Sequence, residues 1–249
     1  MDIEKDLQSS PLMEKLEPGL LQQTIAHFRT VSRLRRAAML CSLFNLTPTT
    51  RVLDLGGSNG VHLNSCLAGT PVLAKNVYIA DIDAAQVESA AVRFGYTAVI
   101  VPDNGPLPFS DKFFDIVFCS SVLEHITLPE KDAWRETSGT RFRRVAQSRQ
   151  RQFAKEISRI GAAYFVQVPY RWFPVETHTW LPFVGYLPRF IQCPVIGFSN
   201  RVWIKATVPD FYLPTVGDMA GYFPDAEIRR EKIWGLTKSL IAVKRPGTT

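Results

Sequence analysis

The stretch RVLDLGGSNG, Arg51 to Gly60, constrains the fold more than any other part of the chain. Val52, Leu53 and Leu55 are apolar or β-favouring and read as a buried strand. Gly56-Gly57 follows as a turn where backbone bends or approaches a ligand closely, which residues without Cβ do at least steric cost. Ser58 or Asn59 then caps a helix expected from about Gly60 to Leu67. Strand, glycine turn and helix N-terminus in that order open the first unit of a nucleotide-type α/β sheet. A second signal comes 21 residues after Gly60, where YIADID ends a strand at Asp81, the place from which a carboxylate bonds ribose hydroxyls.

The flanking sequence extends this pattern. Before the first strand, Leu21, Ile25, Phe28, Val31, Leu34, Ala38 and Cys41 recur every three or four positions. They predict an amphipathic helix over Leu20–Phe44 with Arg29, Arg33 and Arg36 turned outward. After the second strand, Val77 to Ala80, Asp83 and Gln86 form a capping-box pattern opening a helix to about Phe94. Further strands are expected at 98–101, 114–119 and 163–168, with a long helix at 142–160. Alternating strands and helices of this length predict a parallel sheet covered on both faces. Residues from Ala226, with a turn at Trp234-Gly235, read as an antiparallel hairpin.

Three chemistries compete for the glycine turn. A dinucleotide fingerprint requires G-x-G-x-x-G, but Ser58 and Val61 occupy the third and sixth positions. A hydrolase elbow, G-x-S-x-G, fits literally with Ser58 as nucleophile, yet the residues before it leave no room for that fold's earlier strands. The third is the cofactor site of class I S-adenosylmethionine-dependent methyltransferases, which apolar-apolar-Asp-apolar-Gly-x-Gly-x-Gly resembles closely, with Ser58 standing for the middle glycine. Leu107-Pro108-Phe109, Phe114-Asp115-Ile116-Val117 and Leu123-Glu124-His125-Ile126 are similar to the ubiquinone-type (methyltransferase type 11) small-molecule subgroup. The resemblance covers roughly residues 40–169 and 226–245.

The resemblance implies a Rossmann-like, seven-stranded, mostly parallel sheet with helices on both faces, and S-adenosylmethionine as cofactor. It implies that Gly56, Ser58 and Gly60 admit the methionine and ribose portion, that Asp54 orients the turn and the cofactor's ammonium group, and that Asp81 holds the ribose. Asp103 with Asn104 would meet the adenine, and Cys119 and Ser120, at the carboxyl end of the fourth strand, would face the sulfonium end. His125 is a candidate general base, His being the commonest group in that role, although a structural hydrogen-bonding histidine explains it too.

Residues 170–225 have no place in the minimal fold. The run from Pro169, PYRWFPVETHTWLPFVGYLP, is aromatic and proline-stiffened, and some small methyltransferases of this group carry a similar run. A cap over the methyl group, excluding water and shaping an acceptor pocket, follows from its position after strand five. Arg171, Trp172, Glu176, His178 and Trp180 are its candidate acceptor-binding residues, His178 doubling as a second candidate base. A satellite core, a dimer contact or a membrane-touching insertion are the other readings. The expected organisation is a helical or lid-like segment at 1–46, a cofactor-binding core at 47–169, the cap at 170–225 and a hairpin completing the sheet at 226–249.

Composition narrows the partners. Cys41, Cys66, Cys119 and Cys193 are scattered without a His cluster, so neither a disulfide framework nor a metal site is expected. The acidic start, MDIEKDLQSS, is no signal peptide, and prolines interrupt the most apolar stretch, Leu181 to Phe198. A cytoplasmic protein, peripheral to a membrane at most, is the simplest setting. The formal charge of +6 owes much to six arginines between residues 135 and 151. Such a cluster suits phosphate or an anionic membrane surface, and a solvated helix face equally well. Nucleic acid is not favoured, because no binding module accompanies the charge. The expected reaction is methyl transfer to a small-molecule, lipid or glycan-type acceptor. An RNA methyltransferase using the arginine-rich helix and an inactive, methyltransferase-like scaffold are the alternatives.

Overall fold

The structure, a computed structural model, describes residues 20–203 and 205–247. Within the first helix the side chains of Leu21, Ile25 and Arg29 lie outside the described residues, as does the lid-like start expected before residue 20. Seven strands form one sheet: β1 (Val52–Leu55), β2 (Val77–Asp81), β3 (Thr97–Ile100), β4 (Phe114–Ser120), β5 (Gly161–Pro169), β6 (Glu227–Ile233) and β7 (Leu236–Lys244). Their order is β3-β2-β1-β4-β5-β7-β6. The first five run parallel, and β7 pairs antiparallel with both β5 and β6. The expected sheet and its closing hairpin are therefore present. Chain order reverses between β1 and β4, and an open α/β sheet leaves a crevice at such a switch, beyond the carboxyl ends of its strands.

Helices cover both faces. On one side α1 (Leu20–Leu43), α2 (Val61–Leu67) and α3 (Ala84–Phe94) pack Leu40, Leu63, Cys66, Val87 and Ala90 against Val52, Ile79, Ile116, Phe118 and Phe165. On the other, α5 (Gly139–Ile160) and α7 (Val216–Tyr222) pack Ala154, Ile157, Met219 and Tyr222 against Leu53, Val117, Tyr164, Val166 and Leu240. Between β4 and α5 lies the short α4 (Glu130–Arg135). The alternation of sides along β1 and β4 is the pleat, and apolar residues on both make these central strands.

Segment 170–225 is not uniform. Its middle carries α6 (Arg189–Val202) and a small apolar cluster of Val184, Ile196, Phe211 and Leu213. Its end, Met219 to Phe223, belongs to the main core of the sheet. The exposed face of α6 is apolar: Phe190, Phe198 and Val202 stand four or eight residues apart, each more than 60% exposed. No helix among the described residues is long and apolar enough to cross a membrane.

The first helix differs from the periodicity reading. Among its described residues the buried side chains are Ser32, Arg36 and Leu40, continued by Phe44 just beyond the helix in a stripe of spacing four, whereas Leu34 is 62% exposed and Ala38 and Cys41 are exposed. Only the carboxyl-terminal end of the stripe meets core. Farther back, the same face looks into a polar cavity, so polar residues point inward there.

Candidate active site

The glycine turn is built as a cradle. Gly56 adopts φ 73°, and a Cβ there would lie 2.4 Å from a Val122 methyl; its N–H donates to the Ala80 carbonyl. Gly57 covers the Asp54 carboxyl, and a Cβ on it would fall 2.3 Å from the carboxyl carbon. Gly60, φ 70°, occupies the N-cap position of α2. Neither Ser58 nor Asn59 accepts the expected cap bond from deeper in the helix; Asn59 Oδ1 receives only the Val61 N–H at 3.3 Å. Ser58 N–H donates to Asp81 at 2.9 Å, and its hydroxyl meets Gln86 Oε1 at 3.4 Å. That bond diverts the Gln86 side chain from the expected capping box, of which Asp83 makes its half by accepting the Gln86 N–H at 3.2 Å, and Ser58 has no histidine partner among the described residues. The elbow of a hydrolase lacks its base here.

Two chambers open on this turn and share Gly56, Ser121 and His125. The larger, about 870 Å³, is lined by Asp81, Asp103, Asn104, Leu107 and Arg149 among others. Arg149 hydrogen-bonds Asn104 Oδ1 and the Thr127 carbonyl and stands 3.8 Å from Asp103. It is thus drawn out of the arginine cluster, whose other five members are exposed. The smaller chamber, about 420 Å³, is lined by Asp54, Ser58, Ser120, Gln167, His178 and Trp180, together with Phe28, Arg36 and Lys238.

Asp54 is 2% exposed and its Oδ2 has no hydrogen-bond partner. Burial, reinforced by the charge of Asp81, pushes its carboxyl up to about 7. Across the chamber the charge is positive. Arg36 donates to Ser120 Oγ at 3.1 Å and pairs with buried Glu231 at 3.4 Å. Lys238, 5% exposed, donates to Ser32 Oγ at 2.6 Å and lies over the Phe28 ring at 4.6 Å. Burial and the neighbouring Arg36 hold its ammonium down at about 8.

The histidines meet at the wall between the chambers. His125 Nδ1 faces both oxygens of Asp210 at 3.1 Å. Its ring stands edge-on to His178, 4.7 Å between centroids. His178 is buried, with Nδ1 2.6 Å from Glu176 and Nε2 3.5 Å from Glu124. Burial disfavours its charge, but the two carboxylates outweigh burial and raise it to about 9. The two carboxylates favour the charged form of His178, which accepts no proton, so this geometry suits His125 better than His178 as a base.

The structure brings Asp54, Gly56, Ser58, Asp81, Asp103, Asn104, Ser120, His125, His178 and Trp180 to the walls of the two chambers. Other expected site residues stand elsewhere. Cys119 is fully buried within the core side of β4, because alternation turns it away from the face that Ser120 presents. Gly60 shapes the turn from behind, against Ile79 and Ala90. Arg171 lies over the Trp172 ring at 5.4 Å, and Trp172 is 54% exposed at the outside of the cap. Glu176 backs His178 without lining a chamber. Sequence reasoning turned Arg36 outward, read Glu124 only within Leu-Glu-His-Ile and Arg149 only as one of six arginines, and passed over Asp210 and Lys238, since a charged residue brought in from a distant element carries no local pattern.

The comparisons with known proteins bear on this geometry. Residues 53–140 match a protein family described as methyltransferase domain. No curated protein matches the sequence. Among solved structures, magnesium protoporphyrin IX methyltransferase from Synechocystis, bound to S-adenosylhomocysteine, is 16% identical at a TM-score of 0.50, over 92% of this chain and 90% of that one. A Pyrococcus horikoshii protein is 12% identical at 0.53, over 98% and 100%. An S-adenosylmethionine-dependent methyltransferase from Mesorhizobium loti is 12% identical at 0.50, over 83% and 95%. At such identities the likeness is one of fold. With the matched domain over residues 53–140, it gives the chain the class I methyltransferase fold, whose cofactor is S-adenosylmethionine. The residues present suit that cofactor, for Asp54 lines the smaller chamber with a buried Oδ2 that has no partner, where an ammonium group can meet it.

Proposed function

We propose that the chain methylates a small-molecule acceptor carrying an apolar body and an anionic group, seated in the smaller chamber. The observation that carries this reading is the pair of buried cations, Arg36 and Lys238, beside the aromatic pair Phe28 and Trp180, whose ring centroids are 5.9 Å apart. A buried ammonium with a depressed pKa gains most from an anion. Aromatic faces suit a flat or apolar body.

In this reading Asp81 holds the ribose hydroxyls and Asp103 with Asn104 the adenine, in the larger chamber. Asp54 takes the ammonium group under Gly57, while Gly56, Ser58 and Ser120 line the path between. The bound cofactor supplies an activated methyl group, so the protein contributes alignment and exclusion of water. Where the acceptor loses a proton, the group placed to receive it is His125, which reaches both chambers and is oriented by Asp210. The solved relative named for a porphyrin acceptor is consistent with a small molecule.

The test is incubation with methyl-labelled S-adenosylmethionine and cell extract separated into anionic small-molecule, neutral small-molecule, lipid, glycan and RNA pools. Label should enter the anionic small-molecule pool and be lost in Asp81→Ala. Label confined to RNA or to neutral compounds would overturn the reading. One observation favours a second reading, in which the acceptor is drawn from a lipid surface: the exposed apolar stripe of Phe190, Phe198 and Val202. Sedimentation with anionic vesicles, lost in Phe190→Ser/Phe198→Ser, checks it.

A further inference from the structure

The wall between the chambers contains a group of side chains that methyl transfer alone does not require. One ligand atom from each of Glu124, His125 and His178 lies within 4.8 Å of the other two. Glu124 is 0% exposed, and neither carboxylate oxygen has a hydrogen-bond partner. A buried carboxylate without donors is costly unless a cation faces it, and in the ion-free protein that cation is the His178 ring, Nε2 3.5 Å from Oε1, whose proton a bound ion would replace. Each histidine, in turn, gives Nδ1 to a carboxylate, His178 to Glu176 at 2.6 Å and His125 to Asp210 at 3.1 Å. That outer bond fixes the ring and leaves Nε2 as the remaining donor atom. It is the arrangement usual behind metal-binding histidines.

We propose that Glu124, His125 and His178 bind a divalent transition-metal ion at this wall. Two imidazoles and one carboxylate suit iron(II), manganese(II) or zinc(II) and leave coordination positions open. Both histidines line the smaller chamber, so the open positions face the acceptor. Bound there, an acceptor hydroxyl becomes more acidic and releases its proton to solvent, the oxygen staying on the ion. In the metal-bound state His125 is a ligand, and the ion takes over the task assigned above to His125 as base. This role, though not the binding itself, rests on the acceptor chamber proposed above. The acceptor it points to is a hydroxyl compound.

The test uses the full chain, stripped with a chelator and titrated with cobalt(II), whose visible absorption reports nitrogen and oxygen ligation. One equivalent should bind. Affinity should fall by at least about 100-fold in Glu124→Gln and His178→Gln, and by about 10- to 100-fold in Asp210→Asn, which alters only an outer partner. Absence of cobalt absorption in the wild-type protein, with no manganese, iron or zinc retained on desalting, would overturn the proposal. The cluster would then be closed by a proton on His178. Equal binding by wild type, Glu124→Gln and Asp210→Asn would overturn it as well. S-adenosylhomocysteine calorimetry on the stripped protein separates the two readings. Cofactor binding without metal uptake removes the ion alone, and metal uptake without cofactor binding removes the methyl-transfer reading.

Discussion

Gly57 lies directly over the carboxyl group of Asp54, so that a single methyl group added at residue 57 would sit 2.3 Å from the carboxyl carbon and 2.3 Å from Oδ2. Gly57 has no left-handed φ, so its role in the turn is one of space, not of backbone angle. Gly57→Ala should therefore displace a carboxyl that has nowhere to go. Overpacking of this kind costs about 1–3 kcal/mol. Loss of the ammonium partner should weaken cofactor binding at least tenfold. Calorimetry with S-adenosylhomocysteine and a urea melt check both. Gly221→Ala is the control: nothing lies within 4 Å of its Cβ, and in helix α7 it should stabilise by about 0.5–1 kcal/mol.

The acid itself gives a pH signature. The folded, ligand-free protein holds the Asp54 carboxyl at about 7, against 3.8 for an ordinary aspartate. Folding therefore favours the protonated form. The stabilisation is complete below the unfolded pKa and is lost as pH rises through about 7. Between pH 4 and 7 the slope should approach about 1.4 kcal/mol per pH unit from this group. A cofactor ammonium requires the ionised form, so affinity should rise with pH up to about 7 and level off above it. In Asp54→Asn both dependences should vanish, with the ligand-free protein at least as stable at pH 7.5. Chemical denaturation and calorimetry at several pH values, in buffers of different ionisation enthalpy, measure each.

How much of this was legible in the sequence depends on distance along the chain. The Asp54–Gly60 turn, Asp81 at the end of β2 and the closing hairpin are local patterns, each decided by residues within a few positions of one another, and the sheet has them. The face of α1 was misread because periodicity assumes that a buried face is apolar. Here Ser32 and Arg36 are buried against a polar chamber, and Leu34 is left outside. Cys119 and Ser120 are adjacent, and a strand end resolves them only once the pleat is known. Arg149 reads as one arginine among six, and nothing in its neighbours reveals that it turns toward Asn104.

Lys238 separates stability from function. Its ammonium is held near 8 by burial and Arg36, so the charged form is disfavoured in the folded state. This lowered pKa makes the protein lose stability as pH falls through about 8, relative to pH above the ordinary lysine value of 10.5. Lys238→Met keeps the apolar stem and removes the charge. It should raise the melting temperature at pH 7 by roughly 2–4 °C, the equivalent of about 1 kcal/mol in a chain of this size. Methyl transfer to the anionic acceptor pool should fall at least tenfold, and cofactor affinity should change little. A thermal melt and the labelled-pool assay, run side by side, check the two effects.

Arg149 provides the sharpest contrast within one helix. Arg143 and Arg144 project from α5 into solvent, whereas Arg149 reaches Asn104 and the Thr127 carbonyl, its side chain only 18% exposed. Asn104 and Asp103 sit on the segment between β3 and β4 that walls the larger chamber. Hydrogen bonds from a charged donor contribute about 1.5–3 kcal/mol when partly buried. Their removal in Arg149→Gln should loosen that segment and weaken S-adenosylhomocysteine binding by roughly tenfold to a hundredfold, the same energy expressed as a ratio. Arg143→Gln/Arg144→Gln should leave cofactor affinity unchanged, because neither side chain lines a chamber. Adenosine alone, lacking the methionine tail, should show the full Arg149→Gln loss if the effect is confined to the adenine side. Calorimetry with both ligands decides it, and equal affinities for wild type and Arg149→Gln would remove Arg149 from the cofactor site.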